Sequence, residues 1–150
     1  MLTLEYLQNR LNGQLKGISK PSAQIIESAG GYDGIVALVQ TKNLTPVIIL
    51  EDSEVGEFSF QDGGFLRSSQ SIWVMKMVAK EENRNKIQNE CFNMMKRILS
   101  ILAVHDEDDE CMKNWVWGSV PWGVRNAGAN YTGYEFTLHF SEDTDLSYNG

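Results

Sequence analysis

The clearest alternation of apolar and polar residues lies near the C-terminus, in the segment YTGYEFTLHF (131–140). From Tyr134 onward every second residue is apolar, and polar residues occupy the positions between them. This period of two predicts a β-strand with one buried face. The Gly- and Pro-interrupted segment that precedes it predicts a partner strand, so the chain is expected to end in a pair of strands.

Two segments show the spacing of an amphipathic helix. At the N-terminus, leucines recur at steps of three and four from Leu4 to Leu15, and Thr3 can cap the first turn. A longer helix is predicted over 82–104, because apolar residues again recur at steps of three, four and one. These residues are Ile87, Cys91, Met94, Met95, Ile98, Leu99 and Leu102.

Short apolar runs between the two helices predict further strands. The runs at 34–40 and 45–52 are rich in β-branched residues and flank a turn, which indicates a hairpin, whereas 22–31 suggests a short helical turn. In the segment GEFSF (56–60), phenylalanines alternate with polar residues. The segment 71–80 is apolar on both faces, which is typical of a strand in the centre of a sheet.

Grouped strands between helices predict an α+β fold, with a mostly antiparallel sheet of about five or six strands. An N-terminal helix and one long amphipathic helix are expected to pack on this sheet. The length of 150 residues is that of one ordinary domain, so residues 1–150 are predicted to form a single domain. Residues 141–150 are predicted to be a flexible polar tail.

The charge and the longest apolar runs restrict the possible partners. With 13 basic and 20 acidic residues, the formal net charge is −7, which disfavours sequence-specific binding to nucleic acid. No apolar run approaches the roughly 20 residues of a membrane helix, so no membrane partner is predicted. The two cysteines, Cys91 and Cys111, lack the spacing of a zinc or redox motif, and Cys91 is expected to be a buried, inert thiol.

The candidate catalytic and metal-binding residues are few. The acidic segment HDEDDE (105–110) fails the EF-hand pattern, because its sixth and twelfth positions from Asp106 are Cys111 and Trp117. Neither His105 nor His139 is flanked by a nucleophile signature. No glycine-rich phosphate-binding motif is present. We therefore predict no catalytic residue, no metal and no cofactor.

Three tryptophans, Trp115, Trp117 and Trp122, lie within eight residues of one another. One interpretation is core packing, since Trp115 and Trp117 would share a face of a strand. The other is a protein interface, where tryptophan and tyrosine are enriched. The glycines and proline in this stretch slightly favour the second interpretation, and both stay open from the sequence.

A leading helix, a strand meander, a long amphipathic helix and a closing strand GYEFTLHF together resemble the tail terminator and tail completion (head–tail joining) proteins of bacteriophages. The resemblance covers the chain from Leu4 to Phe140. It implies a structural protein without catalysis, assembled in the host bacterial cytoplasm and placed in the virion tail or neck. Its partners would be copies of itself in a ring, commonly a hexamer, and the tail tube and neck proteins.

On this resemblance, ring or tube contacts are expected in the tryptophan-rich segment 115–128 and in QDGGFLRSSQ (61–70). The expected interface residues are Trp115, Trp117, Trp122, Phe65, Tyr134 and Phe136. A further hypothesis places the last strand at an edge of the sheet, where a neighbouring subunit could extend it.

Two other classes of function remain as alternatives. Small acidic secretion chaperones share the size and charge of this chain and bind an effector segment as dimers, although they generally close with a helix. An enzyme would require a pocket with convergent polar groups, which a sequence alone does not reveal.

Overall fold

The fold of the protein is given by a computed structural model that describes residues 1–12, 14, 24–28, 30–51, 56–116 and 118–146. The described residues contain three α-helices, six strands and a short 3₁₀ turn over Gln61–Gly63. In chain order the helices and strands are α1 (Leu4–Leu11), β1 (Gln24–Ser28), α2 (Gly31–Lys42), β2 (Val47–Glu51), β3 (Gly56–Ser59), β4 (Phe65–Met77), α3 (Arg84–Ala103), β5 (Trp122–Asn126) and β6 (Tyr131–Asp143).

The six strands form one sheet in the order β1-β2-β4-β6-β5, and β3 pairs with the first residues of β4. Only β1 and β2 run parallel, and all other pairs are antiparallel. The predicted α+β class with a mostly antiparallel sheet is thus confirmed. So is the central position of the segment apolar on both faces, which forms the second half of β4.

The hypothesis that the last strand lies at an edge is wrong. β6 pairs with β4 along its whole length, from Tyr131 opposite Met77 to Asp143 opposite Phe65. Its other side pairs with β5 and then with the preceding segment, through the N–H of Thr137 to the carbonyl of Pro121. Within the described part of the chain, the edges of the sheet are β1, β3 and β5.

Two segments differ in secondary structure from the prediction, one being a helix instead of a strand and the other a strand instead of a helical turn. The run 34–40, predicted as a strand, lies in the helix α2, because Ile35 and Val39 are four residues apart and are both buried on one side of that helix. The segment 22–31, predicted as a helical turn, contains β1, where Ile25 and Ile26 pack on opposite faces of the sheet. The predicted hairpin of 34–40 with 45–52 is therefore absent from the structure.

The two helices predicted from their periodicity are confirmed. α1 ends at Leu11, and Leu15, the last predicted residue, lies outside the described residues. α3 begins at Arg84, where the Asn83 side chain accepts from the Asn85 N–H, and buries the predicted apolar stripe. Cys91 belongs to that stripe, and burial raises the pKa of its thiol to about 12, which keeps it protonated at neutral pH.

The sheet separates two apolar layers. On one face, α1 and α3 cover residues of β2, β4 and β6, including Phe136 and Leu138. On the other face, α2 covers only the part of the sheet around Trp73 and Tyr131. The rest of that second face, along the other halves of β4 and β6, is lined by half-buried or exposed polar residues: Arg67, Ser69, Ser71, Thr137, His139 and Ser141.

The prediction of a flexible polar tail over 141–150 is wrong for residues 141–143, and the Thr144 N–H also donates to the Gly64 carbonyl at 3.1 Å. Ser141, Glu142 and Asp143 belong to β6, because they pair with Arg67, Leu66 and Phe65 of β4. Residues 147–150 lie outside the described part of the chain. No helix of that part is long and apolar enough to span a bilayer.

Candidate interaction surfaces

The structure separates the residues predicted to form an interface. Phe136 is fully buried and Trp115 is nearly so, because both pack in the layer beneath α3. The backbone of Trp115 also forms an isolated antiparallel β-bridge with Phe140. Both are therefore corrected from interface to core. Phe65 is half-buried at the start of β4 and Trp117 lies outside the described residues. Trp122 is exposed over 56% of its surface, whereas Tyr134, also predicted to form an interface, is buried in the core, with 9% of its surface exposed.

Trp122 forms the centre of an aromatic cluster on the edge strand β5. The centre of its ring lies 5.4 Å from the centre of the Phe92 ring and 5.7 Å from the centre of the Tyr134 ring, and both pairs are edge to face. The Nζ atom of Lys96 lies 5.4 Å from the centre of the Phe92 ring. Together with the exposed Val124, these residues define the tryptophan patch: Phe92, Lys96, Trp122 and Val124, with the buried Tyr134 beneath them.

The backbone edge of β5 is partly occupied by side chains of the same chain. The Val124 carbonyl accepts a hydrogen bond of 2.9 Å from Arg125 Nη1, and the Asn126 carbonyl accepts one of 2.7 Å from the Tyr32 hydroxyl. Arg125 is fixed in turn by Glu135, at 2.7 Å between Nε and Oε2. A neighbour would therefore find apolar side chains at this edge, but not a row of open carbonyls.

A second apolar surface lies at the diagonally opposite corner of the sheet, where β3 pairs with the start of β4. Phe60 is 77% exposed and Phe58 is also exposed. Phe58 lies opposite Leu66, which lies opposite Glu142 of β6, so this apolar row ends in an acidic residue. We call this surface the phenylalanine corner, formed by Phe58, Phe60 and Glu142.

The segment GEFSF (56–60) carries a signal for this corner, although its alternation alone predicts a strand and no function. In GEFSF the phenylalanines alternate with polar residues, but the segment is four to five residues long, and its partners on β4, residues 65–68, lie outside both buried clusters. Such a pattern leaves phenylalanines without a core to enter. The expected contact segment 61–70 lies beside them, although from Phe65 onward it is strand β4 and not a loop.

A trough of about 510 Å³ crosses the open part of the second face. Its walls include Glu57, Arg67, Ser69 and His139, with Ser69 Oγ 2.9 Å from His139 Nδ1 and Arg67 Nη1 3.3 Å from Glu57 Oε1. Ser69 and His139 are direct cross-strand partners, so this hydrogen bond joins β4 to β6.

The Ser69–His139 pair differs from a catalytic triad in one respect. A serine nucleophile needs its histidine oriented by a further group, and no described carboxylate bonds His139. Among the described residues, the Ser69–His139 hydrogen bond therefore lacks the third group of a catalytic triad.

The acidic segment after α3 is fixed by one of its own carboxylates. Asp109 accepts hydrogen bonds from the Tyr6 hydroxyl at 2.6 Å and from the N–H groups of Cys111 and Met112 at 3.0 and 3.1 Å. Burial acts to raise the pKa of Asp109, but these donors outweigh it and hold the pKa below its usual value. Among the described residues, no three His, Cys, Asp or Glu side chains converge as metal ligands.

Replacing Tyr6 with phenylalanine is expected to lower the free energy of unfolding at pH 7 by about 1–2 kcal/mol, because a hydrogen bond to a charged acceptor is lost. The pKa of Asp109 is lower in the folded than in the unfolded state, so its stabilising contribution is present above the unfolded pKa of about 3.9. The difference from the unsubstituted protein should therefore shrink as the pH falls through the lowered pKa. Urea unfolding at pH 7 and at several pH values below 4 measures it.

Tyr32→Phe is the matched control, because the Tyr32 hydroxyl donates to the neutral carbonyl of Asn126. Its effect on the free energy of unfolding should not depend on pH in this range. A Tyr6→Phe effect that is equally independent of pH would contradict the role given to Asp109.

Comparison with known proteins adds no relative to these observations. No protein-family model matches this sequence, and no curated protein matches it either. The described residues offer two exposed apolar surfaces, of different composition, at opposite corners of one sheet. Clustered exposed aromatic side chains of this kind are typical of protein–protein contact.

Proposed function

We propose that this chain is a structural subunit of a bacteriophage tail, resembling tail terminators, which assembles with copies of itself into a ring. The ring would cap the tail tube and join it to the neck. The observation that carries this proposal is the presence of two different exposed apolar surfaces, the tryptophan patch and the phenylalanine corner.

The separation of the two surfaces supports a ring more than a dimer. β3 and β5 are three strand spacings apart, and six residues along β6 separate the partner positions of Phe58 and Trp122. At about 4.8 Å per strand and 3.3 Å per residue, the surfaces lie roughly 24 Å apart. A two-fold dimer would have to bring both contacts between these surfaces together in one self-complementary interface, whereas head-to-tail contacts between two separate surfaces can close into a ring.

The charge of the chain supports the passage of DNA through such a ring. A net charge of −7 repels the phosphate backbone at long range, so DNA could move past without being held. Under this proposal the protein catalyses no reaction and requires no cofactor. Its place would be the virion tail or neck, after assembly in the host bacterial cytoplasm with tube and neck proteins as partners.

Native mass spectrometry and light scattering on the purified protein should give one closed oligomer of more than two subunits, alone or with the tube protein encoded in the same gene cluster. Negative-stain images should show rings with a central hole. A monomer that persists at high concentration with and without tube protein would refute the proposal. A two-fold dimer would favour the secretion-chaperone alternative instead.

A further inference from the structure

We infer that each subunit packs its phenylalanine corner against the tryptophan patch of the next subunit, an inference that rests on the proposed ring. The occupant of the tryptophan patch is thus a second copy of this chain. Both surfaces are exposed in the isolated subunit and neither has a covering element among the described residues. The contact would join opposite corners of successive sheets.

The two surfaces carry opposite charge. In the phenylalanine corner, Glu142 lies on the same face of the sheet as Phe58, through the register Phe58–Leu66–Glu142. The tryptophan patch contains Lys96, which is followed by the exposed Arg97 on α3. α3 holds four basic residues and one acidic residue, so its net charge is positive although the net charge of the chain is −7. Opposite signs favour the corner–patch contact over corner–corner or patch–patch contact.

The apolar parts of the two surfaces are also complementary. Trp122 is held by Phe92 and Tyr134, so its ring offers a large apolar surface in a fixed orientation. Tryptophan in such a setting is among the side chains that dominate the free energy of association. Phe58 and Phe60 are aromatic residues that could cover it and be covered in turn.

The occupied edge of β5 specifies how the subunits meet. Since Arg125 and Tyr32 already donate to the Val124 and Asn126 carbonyls, continuous strand addition along this end of β5 would require both hydrogen bonds to break. The contact is therefore made through side chains, not through a sheet extended from subunit to subunit.

The test uses two single variants that each damage one surface, Phe60→Ser and Trp122→Ser. Each variant alone should lose the ring, because every contact needs one surface of each kind, and truncating a central aromatic residue should weaken the contact at least roughly 30-fold. An equimolar mixture should form a complex of one copy of each variant and stop there. In that complex the intact corner of Trp122→Ser meets the intact patch of Phe60→Ser. Native mass spectrometry resolves these species by mass.

Val104→Ser is the matched control, since Val104 is 75% exposed and belongs to neither surface. It should form the ring as the unsubstituted protein does, and circular dichroism should show all three variants folded. A charge exchange provides a second route that leaves the aromatic residues intact: Lys96→Glu should weaken the ring and Glu142→Lys in the same chain should restore it.

The outcomes separate the inference from the proposed function. Rings that survive both Phe60→Ser and Trp122→Ser would overturn the corner–patch contact and leave the ring itself standing. A mixture that associates no better than its components would overturn it as well. If the unsubstituted protein forms no ring, with or without tube protein, both the proposed function and this inference fail.

Discussion

Replacing Phe136 with alanine should lower the free energy of unfolding by about 3–5 kcal/mol, the cost of removing a large aromatic side chain from a packed core. Phe136 has no exposed surface and lies on β6 between β4 and β5, so neighbouring strands hold its surroundings in place. The cavity could collapse only by moving both strands. Urea unfolding at several protein concentrations measures this change and separates folding from association.

Trp122→Ser is the informative comparison, because Trp122 lies directly opposite Phe136 in the β5–β6 register and on the same face. It should lower the free energy of unfolding of the subunit by about 1–2 kcal/mol, less than Phe136→Ala, because the exposed ring loses only its edge-to-face contacts with Phe92 and Tyr134. The two substitutions should thus differ in their main effect: Phe136→Ala should chiefly affect folding, and Trp122→Ser should chiefly affect assembly. Equal losses of stability would place Trp122 in the core and remove the basis of the tryptophan patch.

The contrast between these two residues shows what the sequence could not reveal about the site. Both are aromatic, and both fall in C-terminal segments with strand character. Their different burial arises because α3 packs mainly over β6 and β4, so that Phe136 lies beneath the helix while Trp122 lies beside it. The path of a helix across a sheet depends on contacts distant in the chain, which periodicity does not encode.

The fold was predictable where the period was long and unambiguous. α3 carries its apolar stripe over 20 residues, and β4 is apolar on both faces because helices cover both sides of its second half. Shorter runs were ambiguous. Ile35 and Val39 in a β-branched run indicate a strand by propensity, yet their spacing of four also fits a helix, and burial against Trp73 decided for the helix.

The order of strands in the sheet was also beyond the pattern of side chains. Alternation along β6 reports which of its faces is buried, but both backbone edges of a strand look the same in sequence. The sequence pattern of β6 therefore fits an edge strand and an interior strand equally well. Its 13-residue pairing with β4 is a long-range property of the folded chain.

That pairing makes Gly133→Ala the second substitution with a large expected effect. Gly133 lies between Met75 of β4 and Arg125 of β5 in the sheet register. A Cβ atom there would overlap the carbonyl oxygen of Val74 and lie 2.9 Å from the Cα of Met75. Because both obstacles are backbone atoms of a central strand, relief requires that paired strands separate. We expect a loss of more than about 3 kcal/mol in the free energy of unfolding, at the upper end of overpacking effects.

Gly34→Ala is the matched control for Gly133→Ala, because it makes the same chemical change within α2. The added Cβ would meet only the Ser28 Oγ atom, at 3.8 Å, which is ordinary van der Waals contact. Alanine is also the better helix former, so the free energy of unfolding should rise by about 0.5–1 kcal/mol. Urea unfolding of the two variants side by side therefore tests whether one added methyl group lowers the free energy of unfolding at position 133 and raises it at position 34. If Gly133→Ala unfolds within about 1 kcal/mol of the unsubstituted protein, the close approach of β6 to β4 is wrong, since overpacking there should cost more.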